Sequence, residues 1–148
     1  MTSQSAGTYK KREQTNHVIG ELLDERTQVW NLYCSAAGME PYQPDKTIED
    51  LVKEFCQLSV DYISLGHFGL YQRVLEGNER RKSVVDVAER LYPDIAKATE
   101  AVLSFNDKYQ TLTPAKILNQ LSGDLSLVGE QLATRIELED QLIETMTS

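Results

Sequence analysis

The sequence has few of the residues that build metal centres, disulfide frameworks and nucleophilic active sites. Its 148 residues include two cysteines and two histidines. Cys34 and Cys56 have no second cysteine or histidine near them at metal-ligand spacing. We therefore expect no metal and no cofactor, a core position for Cys56 on an apolar helical stripe, and a reducing, cytoplasmic setting.

Long apolar runs and catalytic motifs are also missing. No apolar run reaches the roughly 18 residues that cross a membrane, and the polar N-terminus does not resemble a signal peptide. The phosphate loop G-x-x-x-x-G-K-[ST], the G-x-S-x-G elbow and the H-E-x-x-H pair are absent. A di-iron site would need glutamates where Gln14 and Ser64 stand three positions before the histidines. We expect neither membrane insertion nor catalysis.

Basic residues are outnumbered by acidic ones. The chain has 15 Lys and Arg against 23 Asp and Glu, a net charge of −8, so it lacks the cationic surplus that direct nucleic-acid binding requires. The charge is uneven, because residues 1–12 hold Lys10, Lys11 and Arg12 whereas residues 13–50 are strongly acidic. That acidic stretch either faces a basic partner or is a solvated face that keeps the protein soluble.

What the sequence does contain is helical periodicity along most of its length. Apolar residues recur three, four or seven positions apart, and strand patterns are nearly absent. The pattern predicts helices over residues 13–37, 48–64, 68–75, 81–91 and 93–109, and a long last helix that starts at Thr113 and Pro114. Pro93 either begins a helix or only kinks one.

Short connections between these helices predict an all-α fold. We expect an antiparallel helical bundle with a four-helix core and additional short helices. Residues 1–12 are predicted to be a flexible basic tail, and residues 13–148 a single domain, because a chain of this length fills one domain.

One segment, residues 55–71, concentrates side chains suited to binding. They are a carboxylate, a hydroxyl, an imidazole and two aromatic rings: Asp61, Ser64, His67, Phe68 and Tyr71. We expect Gly66 to break or bend the helix and to bring the polar groups to one surface. These groups either complete the end of the helix and pack against the core, or anchor a partner with the aromatic rings as hot spots.

A second polar feature lies on the last helix. Arg135 and Glu139 form an i, i+4 pair of opposite charge on or beside the core face. The two residues form either a weak surface pair or part of a polar interior, with Asp61 and His67 among the candidate partners.

The segment from Phe55 to Tyr71 resembles the pattern F-C-Q-x-x-V-D-Y-x-S-x-G-H-F-x-x-Y of the Rsd/AlgQ family, the bacterial regulators of sigma D, at every fixed position. Residues 129–143 are similar to the family's closing G-E-x-L-x-x-R-x-x-L-E-D-x-L-I, and Glu25-Arg26 also agrees. Two positions depart from the pattern. The tryptophan of the first helix is Trp30, away from its usual place, and Leu65 stands where alanine is common.

The resemblance implies a helical bundle that binds region 4 of the primary, housekeeping sigma factor and thereby blocks its contacts with core RNA polymerase and the promoter −35 element. The DNA-reading surface of region 4 is basic, so the acidic stretch offers the opposite sign. The resemblance also implies that the partner contacts Asp61, Ser64, His67, Phe68, Tyr71, Leu22 and Arg26, whereas Arg135 and Glu139 belong to an internal polar network. We expect a monomer that makes no direct contact with nucleic acid or membrane.

Two other functions compete with this one. The first is a helical adaptor or activator that docks on a metabolic or signalling protein through the same acidic faces. The second is a bundle that depends on a small molecule or metal, which would carry that ligand through purification.

Overall fold

The computed structural model describes the backbone of residues 2–38, 46–111 and 114–147 and the side chains of residues 15–38, 46–77, 79–110 and 119–147. These residues form four long helices and no strand. The helices are α1 (Thr2–Ala36), α2 (Ile48–Gly66), α3 (Lys82–Thr111) and α4 (Pro114–Thr147). Two π-helical turns, His67–Tyr71 and Val74–Asn78, continue from α2. The predicted all-α bundle is confirmed.

The start of α2 follows the sequence prediction. Thr47 adopts an extended backbone conformation, and its hydroxyl accepts a hydrogen bond of 3.1 Å from the backbone N–H of Asp50. Glu49 and Asp50 place negative charge in the first turn, which the helix dipole favours.

The helix that was expected to break or bend at Gly66 continues with helical angles instead. Gly66 has right-handed helical angles, φ −62° and ψ −47°, and the chain passes from it directly into the first π-helical turn. The reversal towards α3 occurs later, at Gly77, whose φ of 89° lies in the left-handed region that glycine tolerates.

Two other predicted boundaries also differ from the structure. Helix α3 runs unbroken through Pro93, since the ring lies on the exposed face while Leu91 and Ile95 anchor the helix in the core on either side. Helix α1 begins at Thr2 and not at residue 13, so the backbone of residues 2–12 is helical. The mobility of residues 1–12 stays a prediction. The predicted cap at Thr113 lies outside the described residues.

The four helices pack in chain order around one core. Helix α1 packs on α2, α2 on α3, and α3 most extensively on α4, whereas α1 and α4 make few contacts. Tyr33 near the end of α1 contacts Phe55 near the start of α2, and the earlier Leu22 lies near Gly66 at the end of α2, so these two helices are antiparallel. The ion pair of 2.6 Å between Lys108 and Asp124 and the hydrogen bond from Arg135 to Thr99 show the same for α3 and α4. Cys56 is buried in this core, as predicted.

A column of aromatic rings crosses the core from α1 through α2 to α3. Successive ring centroids lie 4.5–5.9 Å apart, the range in which aromatic pairs attract. The rings belong to Trp30, Tyr33, Phe55, Phe105 and Tyr109.

The Tyr33 ring in this column also fixes where α4 lies. Its hydroxyl donates a 3.0 Å hydrogen bond to the carbonyl oxygen of Leu125, and the ring lies against Gly129, where a Cβ atom would overlap it. Gly129 therefore allows α4 to approach the ring.

No helix in the described part of the chain is long and apolar enough to span a membrane.

Candidate functional site

The outer face of α2 and the first π-helical turn present three of the predicted contact residues. Asp61, Ser64 and Phe68 are exposed, and 63% of the Phe68 surface is open to solvent. The half-buried imidazole of His67 packs edge-on against the Phe68 ring, with the ring centroids 4.8 Å apart. The π-helical turn, a geometry found frequently at functional sites, carries Phe68 on the surface without interrupting the helix.

Two glutamates from α1 join this face. Burial raises the pKa of Glu25 above its usual 4.5, and the nearby carboxylates of Asp61 and Glu21 raise it further. The Oε2 atom of Glu25 is buried and has no hydrogen-bond partner among the described residues. We call the set formed by Glu21, Glu25, Asp61, Ser64 and Phe68 the acidic–aromatic surface.

Beneath this surface, two buried charged side chains of α4 connect that helix to α2 and α3. Arg135 and Glu139 on α4 are 1% and 0% exposed. The hydroxyl of Tyr62 on α2 donates a hydrogen bond to Oε2 of Glu139, and Nη1 of Arg135 donates a 3.1 Å hydrogen bond to the hydroxyl of Thr99 on α3. These four residues and Tyr71 form what we call the internal network.

Aromatic faces complete the environment of the buried guanidinium. The Cζ atom of Arg135 lies 4.9 Å from the ring centroid of Tyr62 and 5.7 Å from that of Tyr71. Both separations fall within the range of cation–π attraction, which is strongest where water is excluded. The network thus compensates a buried positive charge with one carboxylate, one hydroxyl and two rings.

The interior also shifts the protonation of its members. Burial raises the pKa of Glu139 above its usual 4.5, although the cation of Arg135 and the hydrogen bond from Tyr62 act in the opposite direction. Burial and the adjacent Glu139 carboxylate raise the pKa of Tyr62, so this phenol remains a hydrogen-bond donor. Burial likewise raises the pKa of the Cys56 thiol to about 12, which makes it a poor nucleophile.

Three of the predicted contact residues are not part of the acidic–aromatic surface. Leu22 and Tyr71 are buried, so neither offers its side chain to a partner in this conformation. Arg26 points to the other flank of α1, where its Nη1 pairs with Oδ1 of Asp140 on α4 at 2.6 Å. Asp61 and His67, considered as partners of Arg135, lie outside the internal network.

A groove runs along the seam where α1 and α4 make little contact. Its volume is about 400 Å³, and Trp30 and Ile136 supply its largest apolar side chains. The full lining consists of Arg26, Thr27, Trp30, Asn31, Ala133, Ile136, Glu137 and Asp140. We call it the α1–α4 groove.

Sequence reasoning missed several members of these features. Glu21 and Glu25 stand one helical turn apart in the acidic stretch, so their spacing was the available signal. No sequence pattern identified Thr99 as a partner of Arg135, because a single threonine in a helix can have many structural roles. The described residues contain no cluster of three or more histidine, cysteine, aspartate or glutamate side chains arranged to hold a metal ion.

Comparison with known proteins places the chain in a family. The model of the family described as "Regulator of RNA polymerase sigma(70) subunit, Rsd/AlgQ" matches residues 1–147. The chain belongs to the Rsd/AlgQ family. This confirms the resemblance seen in the sequence, and sigma-factor regulation is the role that the family assignment supports.

Individual relatives in the Rsd/AlgQ family agree. A regulator of sigma D from Yersinia enterocolitica is 31% identical over 134 residues, which cover 88% of this chain and 80% of that protein. A regulator of sigma D from Salmonella typhi is 27% identical over 146 residues, which cover 97% of this chain and 90% of that protein. No solved structure matches the chain.

The Rsd/AlgQ pattern divides between surface and interior. Asp61, Ser64 and Phe68 point outward, whereas Tyr62 and Tyr71 point into the internal network. One helical segment therefore carries both exposed side chains and the buried side chains that join it to α4.

Proposed function

We propose that the protein binds region 4 of the primary sigma factor through the acidic–aromatic surface and blocks the contacts of region 4 with core RNA polymerase and the promoter −35 element. It acts by occupying a surface and not by catalysis. Because sigma factors work on RNA polymerase, the complex forms in the cytoplasm, as one copy of the protein with one sigma factor.

The observation that carries the proposal is the exposure of Phe68. A phenylalanine with 63% of its surface in water contributes little to the stability of the fold, and His67 packs against the ring on one side only. Aromatic rings are strong anchors when a partner buries them. Phe68 lies beside the exposed polar groups of Ser64 and Asp61, the arrangement of a hot spot with a polar rim.

Charge supports a basic partner. The carboxylates of Glu21, Glu25 and Asp61 lie close together at the boundary of α1 and α2. Burial raises the pKa of Glu25, and the charges of Asp61 and Glu21 raise it further. A lysine or arginine placed among them would relieve the repulsion and give the Oε2 atom of Glu25 a partner. A surface that reads DNA carries such cations.

In this proposal, the buried residues hold the acidic–aromatic surface in position and do not contact the partner. Arg135 and Glu139 tie α4 to α2 through Tyr62, the residue after Asp61. Leu22 and Tyr71 support the same region from within the core. We assign partner contact to Asp61, Ser64, His67 and Phe68, and positioning to the buried residues.

Calorimetric titration with region 4 of the organism's own primary sigma factor tests the proposal. We expect a 1:1 complex that weakens as salt increases, because part of the attraction is between charges on the surface. Region 4 of an alternative sigma factor is the control and should not bind. Absence of binding to both fragments would contradict the proposal and would favour an adaptor role on another protein.

A matched pair of variants tests the site itself. Phe68→Ala removes a side chain that is 63% exposed, and Leu127→Ala removes one on α4 that is 64% exposed. We expect Phe68→Ala to weaken region 4 binding by about 30-fold, the loss of about 2 kcal/mol that defines a hot spot, with little change in stability. Leu127→Ala should leave the affinity unchanged, and equal effects of the two variants would exclude Phe68 as the anchor.

A further inference from the structure

The α1–α4 groove has the composition of a docking site. Its floor contains the indole of Trp30 with Ile136 and Ala133, and these apolar side chains are accessible because α1 and α4 separate here. The lining residues span about one and a half turns of α1, from Arg26 to Asn31, and about two turns of α4, from Ala133 to Asp140. A groove of about 400 Å³ with an apolar floor is large enough to hold several side chains of another helix.

The rims of this groove are acidic. On α4, exposed carboxylates recur at helical spacing along the rim: Glu130, Glu137, Asp140 and Glu144. Glu130 lies close enough to α1 for its charge to raise the pKa of Tyr33, and Glu137 and Asp140 line the groove directly. On α1, the exposed Asp24 lies one turn before Thr27, a lining residue.

Positive charge in the groove is limited and already compensated. Arg26 is the cation among the lining residues, its side chain is 18% exposed, and Asp140 holds it at 2.6 Å. The groove therefore repels anionic ligands such as nucleic acid and acidic lipid surfaces, and it attracts cations. An apolar floor between acidic rims fits a helix with one apolar face and basic flanks.

This groove and the acidic–aromatic surface lie on opposite flanks of α1. Glu25 faces Asp61 on α2, whereas Arg26, the next residue, pairs with Asp140 on α4. A helix seated against Trp30 thus leaves Phe68 uncovered.

We propose that the α1–α4 groove is a second docking site, which takes a basic amphipathic helix of a partner protein. The partner's apolar side chains pack on Trp30 and Ile136, and its lysines or arginines pair with Glu130, Glu137 and Glu144. The carboxylate stripe from residue 130 to residue 144 is about 21 Å long, so it accommodates about four turns of the bound helix. The proposal is independent of the function assigned to the acidic–aromatic surface.

The chain provides its own probe of this site, because Trp30 is its single tryptophan. The test titrates the full-length protein with a synthetic peptide of about 18 residues, built from lysine and leucine in an amphipathic helical order and free of tryptophan. We expect a saturable change in Trp30 fluorescence, with the emission shifted to shorter wavelength as the peptide covers the indole. A peptide of the same composition in scrambled order, which forms no apolar face, should bind at least tenfold more weakly.

Charge reversal on the rim separates this site from general attraction to an acidic protein. Glu137→Lys should weaken peptide binding by about tenfold, whereas Glu89→Lys, which makes the same change at an exposed position on α3, should have little effect. Phe68→Ala should leave peptide binding unchanged. Its region 4 affinity is measured in parallel, so failure at one site is distinguishable from failure at the other.

Four results would overturn the proposal. Two concern the peptide: an unchanged Trp30 emission at saturating peptide, and equal affinity for the scrambled peptide. The other two concern variants: equal weakening of peptide binding by Glu89→Lys and Glu137→Lys, and loss of peptide binding in Phe68→Ala. A change of Trp30 emission with the protein's own concentration, accompanied by a dimer in sedimentation, would instead identify a second copy of the chain as the occupant and would also refute a heterologous helix.

Discussion

Gly66 on α2 lies directly against the guanidinium of Arg135 on α4. A Cβ atom at position 66 would stand 2.8 Å from Nη2 of Arg135 and 3.2 Å from Cε2 of Tyr71. The glycine has ordinary helical angles, so its backbone does not require glycine. Its function is to leave space for a buried arginine.

Gly66→Ala is therefore expected to destabilise the fold, although alanine is the better helix former. The guanidinium cannot retreat, because the rings of Tyr62 and Tyr71 and the hydroxyl of Thr99 hold it. We expect the free energy of unfolding to fall by about 1–3 kcal/mol in chemical denaturation, the cost of overpacking a core. Gly20→Ala is the control: it is exposed and helical, nothing lies within 4 Å, and the variant should gain about 0.5–1 kcal/mol. Stabilisation by both variants would refute the role of Gly66.

The two buried charged side chains, Arg135 and Glu139, should behave as a unit, because the charge of Arg135 acts on Glu139. Arg135→Met leaves the carboxylate of Glu139 buried without its cation, and we expect a loss of about 3–5 kcal/mol. Adding Glu139→Gln removes the uncompensated charge and should recover most of that loss. Urea denaturation of the two single variants and the double variant measures the coupling. Additive losses would show that the two side chains do not depend on each other.

The pH dependence of stability should report on Glu139. Burial raises the pKa of Glu139 in the folded protein above the usual 4.5. At pH values between 4.5 and this raised pKa, the folded state therefore binds more protons than the unfolded state. Stability conferred by the protonated form is therefore present at low pH and is lost as the pH rises through the folded pKa. The charged groups that act on Glu139 are Arg135, Arg26 and Asp140, and the neutral phenols of Tyr62 and Tyr71 also face it.

The measurement compares wild type with Glu139→Gln. The difference in unfolding free energy, wild type minus variant, should decrease above pH 4.5 with a slope approaching about 1.4 kcal/mol per pH unit and then become constant. A difference that stays constant above pH 4.5 and falls as the pH decreases below 4.5 would mean that the pKa of Glu139 is lowered by Arg135 instead.

Glu25→Gln should change stability and partner binding in opposite directions. The substitution removes the repulsion that Asp61 and Glu21 exert on Glu25, and we expect stability at pH 7 to increase by a few tenths of a kcal/mol. It also removes a carboxylate from the acidic–aromatic surface, so the affinity for region 4 should fall and its salt dependence should weaken. Glu89→Gln on α3 is the control and should change neither quantity. An unchanged affinity in Glu25→Gln would exclude Glu25 from the contact.

Local sequence patterns predicted some helix boundaries correctly and others wrongly. The periodicity of apolar residues predicted where α2 begins, because both this pattern and the cap at Thr47 depend on neighbours within a few positions. The same local reasoning was wrong at Gly66, where it expected a break or a bend, and it left open whether Pro93 begins a helix or only kinks one. The helix continues through both residues, because packing on the far side of each residue maintains it.

The sequence by itself determined the helical class, the acidic balance and the family, because composition, spacing and motif are properties of the chain read in order. It also placed Arg135 and Glu139 on one helical face. Only the tertiary structure decided that this face is buried against Tyr62, that Leu22 and Tyr71 point inward, and that Trp30 lines a groove. The physical reason is that burial and charge compensation depend on which helices meet, and residues 62 and 139 meet only when the whole bundle is assembled.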